Sequence, residues 1–471
     1  MMGERKNRKM GAGMLSVGEI LLLNQLMYCP KEEDGKRTMD AYQGNTIGAL
    51  LDSWRQKPFL DEAQCGFCMK GREWNRIVQL IAGNPELCDM RIQNVHWDEA
   101  DGGGGGMSAV FTQSHFGEAI VVFRGTAAGE WRDDFLGGAA TEETDGVSTI
   151  QQKNAWEWYG SLGLMEHFSQ ITVTGHSKGG NKAKYIALME DSVSRCLSFD
   201  GQGFSDEFIK KYRERIRKRQ QVIENHNMEY DYVNILLNDV GKDIYYQRFA
   251  DEKRGFWENH CVNAFFWFGE ENTCFLVRSG KREVKELQEL NRFLNSCLRS
   301  LSEEKKVAAM ELLGTIAENR LGNKEKEHGS EKTKEEERDY LLHLLLHGEN
   351  PDVLVYLLAY LLKYQQVEPG LADAIERIGK RFGVLSMQRF AKVIEGISNW
   401  QYSDILMRGA GILVEVAPEI FWDKLQKFLA DIYGIMISGK DLHRVAERMI
   451  EVIQMQSEIQ ILPGKGEDMD V

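Results

Sequence analysis

Gly175-His-Ser-Lys-Gly179, followed by Gly180, fits the pattern G-x-S-x-G. A serine hydroxyl is a weak nucleophile until a base takes its proton and an acid orients that base. Donors must also hold the oxyanion that forms. The bare pattern is common, so its surroundings decide. Ile171-Thr-Val-Thr174 reads as a β-branched strand running into Gly175, and the helix-forming stretch from Asn181 runs straight out. Strand, sharp turn and helix form the context in which such a serine stands exposed above a sheet. Glycines at 175, 179 and 180 allow the strand and helix to cross closely. The start of the helix, beside Ser177, favours developing negative charge. The chemistry implied is attack on a carbonyl carbon.

In folds that use this turn, the partners follow in the order Ser, acid, His. Of ten histidines, His96, His115 and His167 precede Ser177, and His176 lies inside the turn. His328, His343, His347 and His443 fall in or beyond a charged stretch, and His226 sits in a polar segment too early in the order. His260, in Trp257-Glu-Asn-His-Cys261, lies in a loop between late β segments and is the expected base. The acid should end a strand between the two. Asp239, after Val233-Asn-Ile-Leu-Leu-Asn238, is the leading candidate, with Asp200 and Asp243 as reserves. The backbone N–H of Lys178 is one expected oxyanion donor. Thr126, following the strand end Ala119-Ile-Val-Val-Phe-Arg-Gly125, is the second.

Those residues carry a resemblance. Val-Val-Phe-Arg124-Gly125-Thr126, then Glu130-Trp131-Arg-Asp-Asp134, then Val-Thr-Gly175-His-Ser177-Lys-Gly-Gly180 resemble the class 3 (fungal-type) lipases of the α/β-hydrolase superfamily. Lys178 and Phe199-Asp-Gly-Gln-Gly-Phe204 are closest to its Mbeg-like branch. The likeness spans roughly Leu15 to Val277 and is dense from Ala119 to Phe204. It implies Ser177 as nucleophile, Thr126 and Lys178 as oxyanion donors, an acid near Asn238-Asp239-Val240 and a base in the late loop holding His260. Lipases of this type carry an amphipathic lid where this chain has Ala127–Thr149. Here the stretch is Gly-rich and acidic, without the apolar face that sits at a lipid–water interface. Interfacial lipolysis is therefore disfavoured.

The elements that must position these residues alternate. Strands are expected at Ser108–Gln113, Ala119–Phe123, Ile171–Thr174, Cys196–Phe199 and Val233–Leu237, then near Tyr245–Phe249, Ala264–Phe268 and Cys274–Val277. Helices are expected at Asn154–Phe168, Lys178–Ser192 and Asp206–Ile223. Such alternation implies an α/β fold: an α/β-hydrolase-type, mainly parallel sheet with helices on both faces, plus an all-α C-terminal region. The expected divisions are 1–281 for the hydrolase-like domain, 282–322 for a helical extension, 323–339 for a charged linker and 340–471 for a helical C-terminal domain. Lys324–Arg338 has eleven charged residues in fifteen, interrupted by Gly329-Ser330. Asn350-Pro351-Asp352 supplies a cap, a first-position proline and a first-turn acid.

The net charge of −14 argues against a nucleic-acid partner, since nothing broadly neutralises phosphates. No apolar run approaches the roughly 20 residues of a transmembrane helix. After the basic start, Glu19, Asn24 and Gln25 interrupt what a signal peptide would keep apolar, and Ser16 with Glu19 has capping-box spacing. The chain reads as cytoplasmic. Eight scattered cysteines, with Cys65-Gly-Phe-Cys68 lacking a second pair, suit buried small hydrophobes better than zinc or disulfides. His343-Leu-Leu-Leu-His347 lacks a third ligand and reads as a packing face. The basic run Lys210–Arg219 reads as a solvated helix face rather than a lipid or partner site. No cofactor or metal is expected.

Two classes of function follow. One is a serine acyl hydrolase acting on a small ester, thioester or lipid-like substrate, with transfer to an acceptor other than water as a variant. The other is an inactive hydrolase-fold scaffold whose helical C-terminal region binds a protein partner.

Overall fold

A computed structural model describes residues 14–29, 38–56, 58–65, 69–98, 106–113, 117–127, 129–139, 146–247, 257–269, 273–276, 282–318, 350–382, 392, 411, 414–433 and 437–462. By contact the chain divides into two compact units. The first comprises 1–284 with 314–326, and the second 285–313 with 327–471.

The first unit is built on a seven-stranded sheet in sequential order. Its strands are β1 (Arg91–Trp97), β2 (Met107–Gln113), β3 (Glu118–Phe123), β4 (Gln170–His176), β5 (Arg195–Phe199), β6 (Ile223–Met228) and β7 (Lys242–Tyr246). β1, β2 and β3 pair antiparallel, and β3 through β7 pair parallel. The period-2 alternation of a strand sorts side chains to the two faces. On β3, Ile120 and Val122 join one apolar core, while Ala119, Val121 and Phe123 join the other. The first core also takes the helices Val17–Leu26, Ile47–Gln56 and Gly71–Ala82; the second takes Ile150–Ser161 and Lys178–Met189. Burial on both faces explains why β2 and β3 are buried at every residue. A small hairpin of β8 (Phe266–Phe268) and β9 (Thr273–Phe275) follows.

The first helix, Val17–Leu26, closes with the expected capping box. Ser16 N–H donates to Glu19 Oε2 at 2.7 Å, and Glu19 N–H donates to Ser16 Oγ at 3.3 Å. Every residue from Ile20 to Leu26 is buried, Asn24 and Gln25 included. Asn24 donates to Thr174 on β4 at 2.9 Å, and Gln25 Nε2 lies 3.8 Å from Met69 Sδ, so both interruptions point into the protein rather than to solvent.

Two expectations fail together. Asp206–Ile223 is not one helix but two, Asp206–Lys211 and Arg213–Arg219, and the chain then enters β6 at Ile223. Val233–Leu237 is not a strand but a loop. β6 reads Ile-Glu-Asn-His-Asn-Met, polar in sequence yet buried, because its side chains find partners. Asn225 donates to Val240 O and to Asp243, both at 3.0 Å, and His226 Nδ1 pairs with Tyr246 Oη at 2.8 Å. β1 is a further strand that the alternation did not indicate. The basic run is more than a solvated face. Arg215 and Arg219 donate to the carbonyls of Ala187, Leu188, Met189 and Val193, at and just beyond the end of the helix Lys178–Met189.

In the second unit, the helices Pro351–Val367, Gly370–Phe382 and Gly439–Glu458 contribute to an aliphatic and tyrosine core. Pro351 holds the first helical position, and Asn350 makes no side-chain cap bond. The charged stretch 324–338, the histidines at 343 and 347, and Gly66 to Cys68 lie outside the described residues. Cys65 is buried, which pushes its thiol up to about 11. Among the described residues, no helix is long and apolar enough to cross a membrane.

Candidate active site

The turn at Ser177 is forced by close crossing. A Cβ on Gly175 would collide with the carbonyl of Gly179 and come within 2.7 Å of Gly180 N. The bend puts Ser177 at φ 60° and ψ −127°, a conformation that L residues adopt only under constraint. Its N–H donates to Phe199 O at 2.9 Å, pinning the turn to the end of β5.

His260 meets it there. His260 Nε2 is 2.7 Å from Ser177 Oγ, and Nδ1 is 2.6 Å from Asp231 Oδ2. Asp231 is fully buried, and its other oxygen accepts from Val233 N–H at 2.8 Å and Asn234 N–H at 2.7 Å. A carboxylate so held accepts the Nδ1 proton, which leaves the Nε2 lone pair facing the serine hydroxyl.

The residue against His260 is Asp231, not Asp239. Asp239 Oδ1 lies 2.5 Å from Lys184 Nζ and accepts from Val240 N–H. It is the counter-ion of an ammonium buried to 0% side-chain exposure. The reserves are engaged elsewhere too. Asp243 accepts from Asn225, and burial followed by the charge of Asp239 lifts its carboxyl to about 6. Asp200, at the end of β5, accepts from Met228 N–H and Asn234 Nδ2. Burial, then the neighbouring Asp231 charge, pushes it well above the ordinary carboxylate range. The misplacement of the acid follows from the strand. With Val233–Leu237 taken as the strand, its end falls at Asp239; with β6 ending at Met228, the next loop delivers Asp231. Asp231 still falls between Ser177 and His260 in the chain.

Thr126 and Lys178 rest on paired charges. Thr126 Oγ1–H donates to Asp134 Oδ2 at 2.6 Å. Lys178 is the first residue of its helix, so its N–H has no partner four residues back. Its side chain turns away, with Nζ 2.8 Å from Asp133 Oδ2 and 3.4 Å from Asp134 Oδ1. Burial opposes the Lys178 charge, but Asp133 and Asp134 outweigh it and hold the ammonium above its usual value. Asp134 receives less of that ammonium than Asp133 does. Burial therefore dominates, and its carboxyl rises to about 7. One turn on, Lys182 pairs with Glu130 at 3.2 Å, and Glu130 accepts from Ala127 N–H at 2.7 Å. Glu130, Asp133 and Asp134 are thus fixed to the helix after Ser177 by two buried lysines. Neither Lys182 nor Lys184 stood out in the sequence, where an ordinary charged helix face hides them.

Residues 103–241, the segment holding this turn and Asp231, match one family description. The family it matches is described as Mbeg1-like. The Mbeg1-like match agrees with the motif likeness, and the sheet with its crossing turn is an α/β-hydrolase-type fold. Among solved structures, the chain is similar to the Rhizomucor miehei triacylglyceride lipase, with 16% identity over 34% of this chain and 67% of that one and a TM-score of 0.25. A fungal lipase in complex with an inhibitor shares 15% over 49% and 77%, TM-score 0.30. A Penicillium expansum triacylglycerol lipase shares 12% over 46% and 89%, TM-score 0.25. No curated protein matches the chain.

Proposed function

We propose that the chain is a serine acyl hydrolase that cleaves a carboxylic ester or thioester through an acyl-enzyme. The observation that carries this reading is the unbroken series Ser177 Oγ, His260 Nε2, His260 Nδ1, Asp231 Oδ2, with contacts of 2.7 and 2.6 Å. Ser177 Oγ attacks the carbonyl carbon while His260 Nε2 takes its proton. The oxyanion is held by the Lys178 N–H and by Thr126. The carbonyl reforms as the leaving alcohol or thiol departs with the proton from His260. Water then attacks the acyl carbon as His260 takes its proton, and His260 gives that proton to Ser177 Oγ as the ester bond to serine breaks and the acid leaves. Asp231 keeps the imidazole in the tautomer that accepts from serine.

The test is a fluorophosphonate, which forms a stable adduct with an activated serine. Mass mapping should place the adduct on Ser177 in the native chain, and Ser177→Ala should take up none. A folded native chain left unmodified at Ser177 overturns the reading.

A further inference from the structure

We propose that Tyr28 and His176 are positioning residues that tie the base loop and the oxyanion loop to the serine turn through one chain of hydrogen bonds. The chain runs between loops distant in sequence. Gly125 N–H donates to Tyr28 Oη at 3.0 Å, Tyr28 Oη lies 2.8 Å from His176 Nδ1, and His176 Nε2 lies 2.7 Å from the backbone oxygen of His260.

The direction of each bond is fixed by its ends. A carbonyl oxygen only accepts, so Nε2 of His176 carries a proton. Burial, and then the nearby His260, hold His176 well below its ordinary pKa, so the ring is neutral and its Nδ1 is a lone pair. Tyr28 must therefore donate to Nδ1, and its oxygen is left to accept from Gly125. With the ring neutral, Tyr28 and His176 each donate once and accept once along the chain.

The anchored atoms are those that acyl transfer needs in place. Gly125 precedes Thr126, the carbonyl of His260 belongs to the base itself, and His176 precedes Ser177. Space forces the arrangement at Gly125 as well: an added Cβ would meet the Tyr28 hydroxyl and lie 2.9 Å from His176 O and 3.0 Å from Ser177 Cβ. The His176 and His260 rings lie 4.8 Å apart. His260 gains a positive charge in the transition state, so its neighbour must stay neutral, and a donor supplied by Tyr28 keeps it so. A small misplacement of the base or of an oxyanion donor costs up to about 100-fold in rate.

This inference rests on the acyl-hydrolase reading, and the rate of fluorophosphonate labelling separates the two. Tyr28→Phe keeps the ring and removes the hydroxyl, and should label Ser177 about 10-fold more slowly than the native chain at an unchanged melting temperature. His176→Phe should label about 100-fold more slowly. His176→Gln, whose amide accepts from Tyr28 and donates to His260 O, should recover most of that loss, which a filler of space would not. Nitrogen-15 NMR of the imidazoles should find His176 protonated on Nε2. A Tyr28→Phe chain that labels at the native rate overturns this inference and leaves the hydrolase reading standing, as does an Nδ1-protonated His176. Native protein that fails to label at all overturns the hydrolase reading, and this inference with it.

Discussion

At the scale of single residues, two aspartates eight positions apart have opposite assignments, and their substitution separates them. Asp231 is buried with three donors converging on it, two backbone amides and His260 Nδ1. Asp231→Asn keeps the shape but presents an amide that can donate to His260, which traps the wrong imidazole tautomer. Labelling of Ser177 should fall by about 10³- to 10⁴-fold while the melting temperature barely moves. Asp239→Asn strands the ammonium of Lys184, whose counter-ion it is. Stability should drop by about 3 kcal/mol, the cost of leaving a buried charge unpaired, while the labelling rate per folded molecule stays native. Equal loss of labelling in both variants would refute the assignment of Asp231. The meeting of Ser177 with His260 was legible because a turn under steric pressure demands glycines at fixed offsets, and because few histidines survive the order rule. The acid was not, since an aspartate that caps a loop and one that holds an imidazole look alike in sequence.

At the scale of elements, legibility followed hydrophobicity. β3, β4 and β5 bury β-branched and aromatic residues, and their expected spans lie within the observed ones. β6 is as buried as they are, yet it carries Glu, Asn, His and Asn, whose hydrogen bonds appear only once β7 and the loop at Val240 are in place. A pattern rule reads burial from apolar side chains and so passes over a strand that buries polar ones. The same blindness hid the lysines of the helix Lys178–Met189, three of which are buried against acids from two separate segments, Glu130 with Asp133 and Asp239. This pairing gives the helix Trp131–Leu136 a pH dependence. The carboxyl of Asp134 is raised to about 7, above its unfolded value near 3.8, so the folded state binds a proton that the unfolded state has already lost. Its stabilising contribution is full below pH 4 and declines as pH rises through 7. Asp134→Asn fixes the neutral form. Its urea midpoint relative to the native chain should therefore climb between pH 5 and pH 8, and a flat difference across that window would reject the raised carboxyl.

At the scale of the whole molecule, the sequence suggests a hydrolase-like domain over 1–281, whereas the first compact unit takes in 314–326 together with 1–284. Glu318 shows why. Its Oε1 accepts from Gly129 N–H at 2.6 Å and its Oε2 from Trp131 N–H at 3.2 Å. These amides begin the helix Trp131–Leu136, whose own first residues offer no side-chain cap. Six residues are too few for a helix to hold by itself, so a carboxylate from far along the chain does what a local cap would do. That short helix carries Asp133 and Asp134, which hold Lys178 and Thr126. Glu318→Ala should cost about 1 kcal/mol, the usual loss of a cap. It should also speed hydrogen exchange at Trp131 and slow the labelling of Ser177 several-fold. Glu318→Gln, which keeps an accepting oxygen, should restore part of each. Unchanged exchange at Trp131 in Glu318→Ala would mean that the helix stands without its distant cap. The division near residue 281 would then describe the hydrolase-like unit after all.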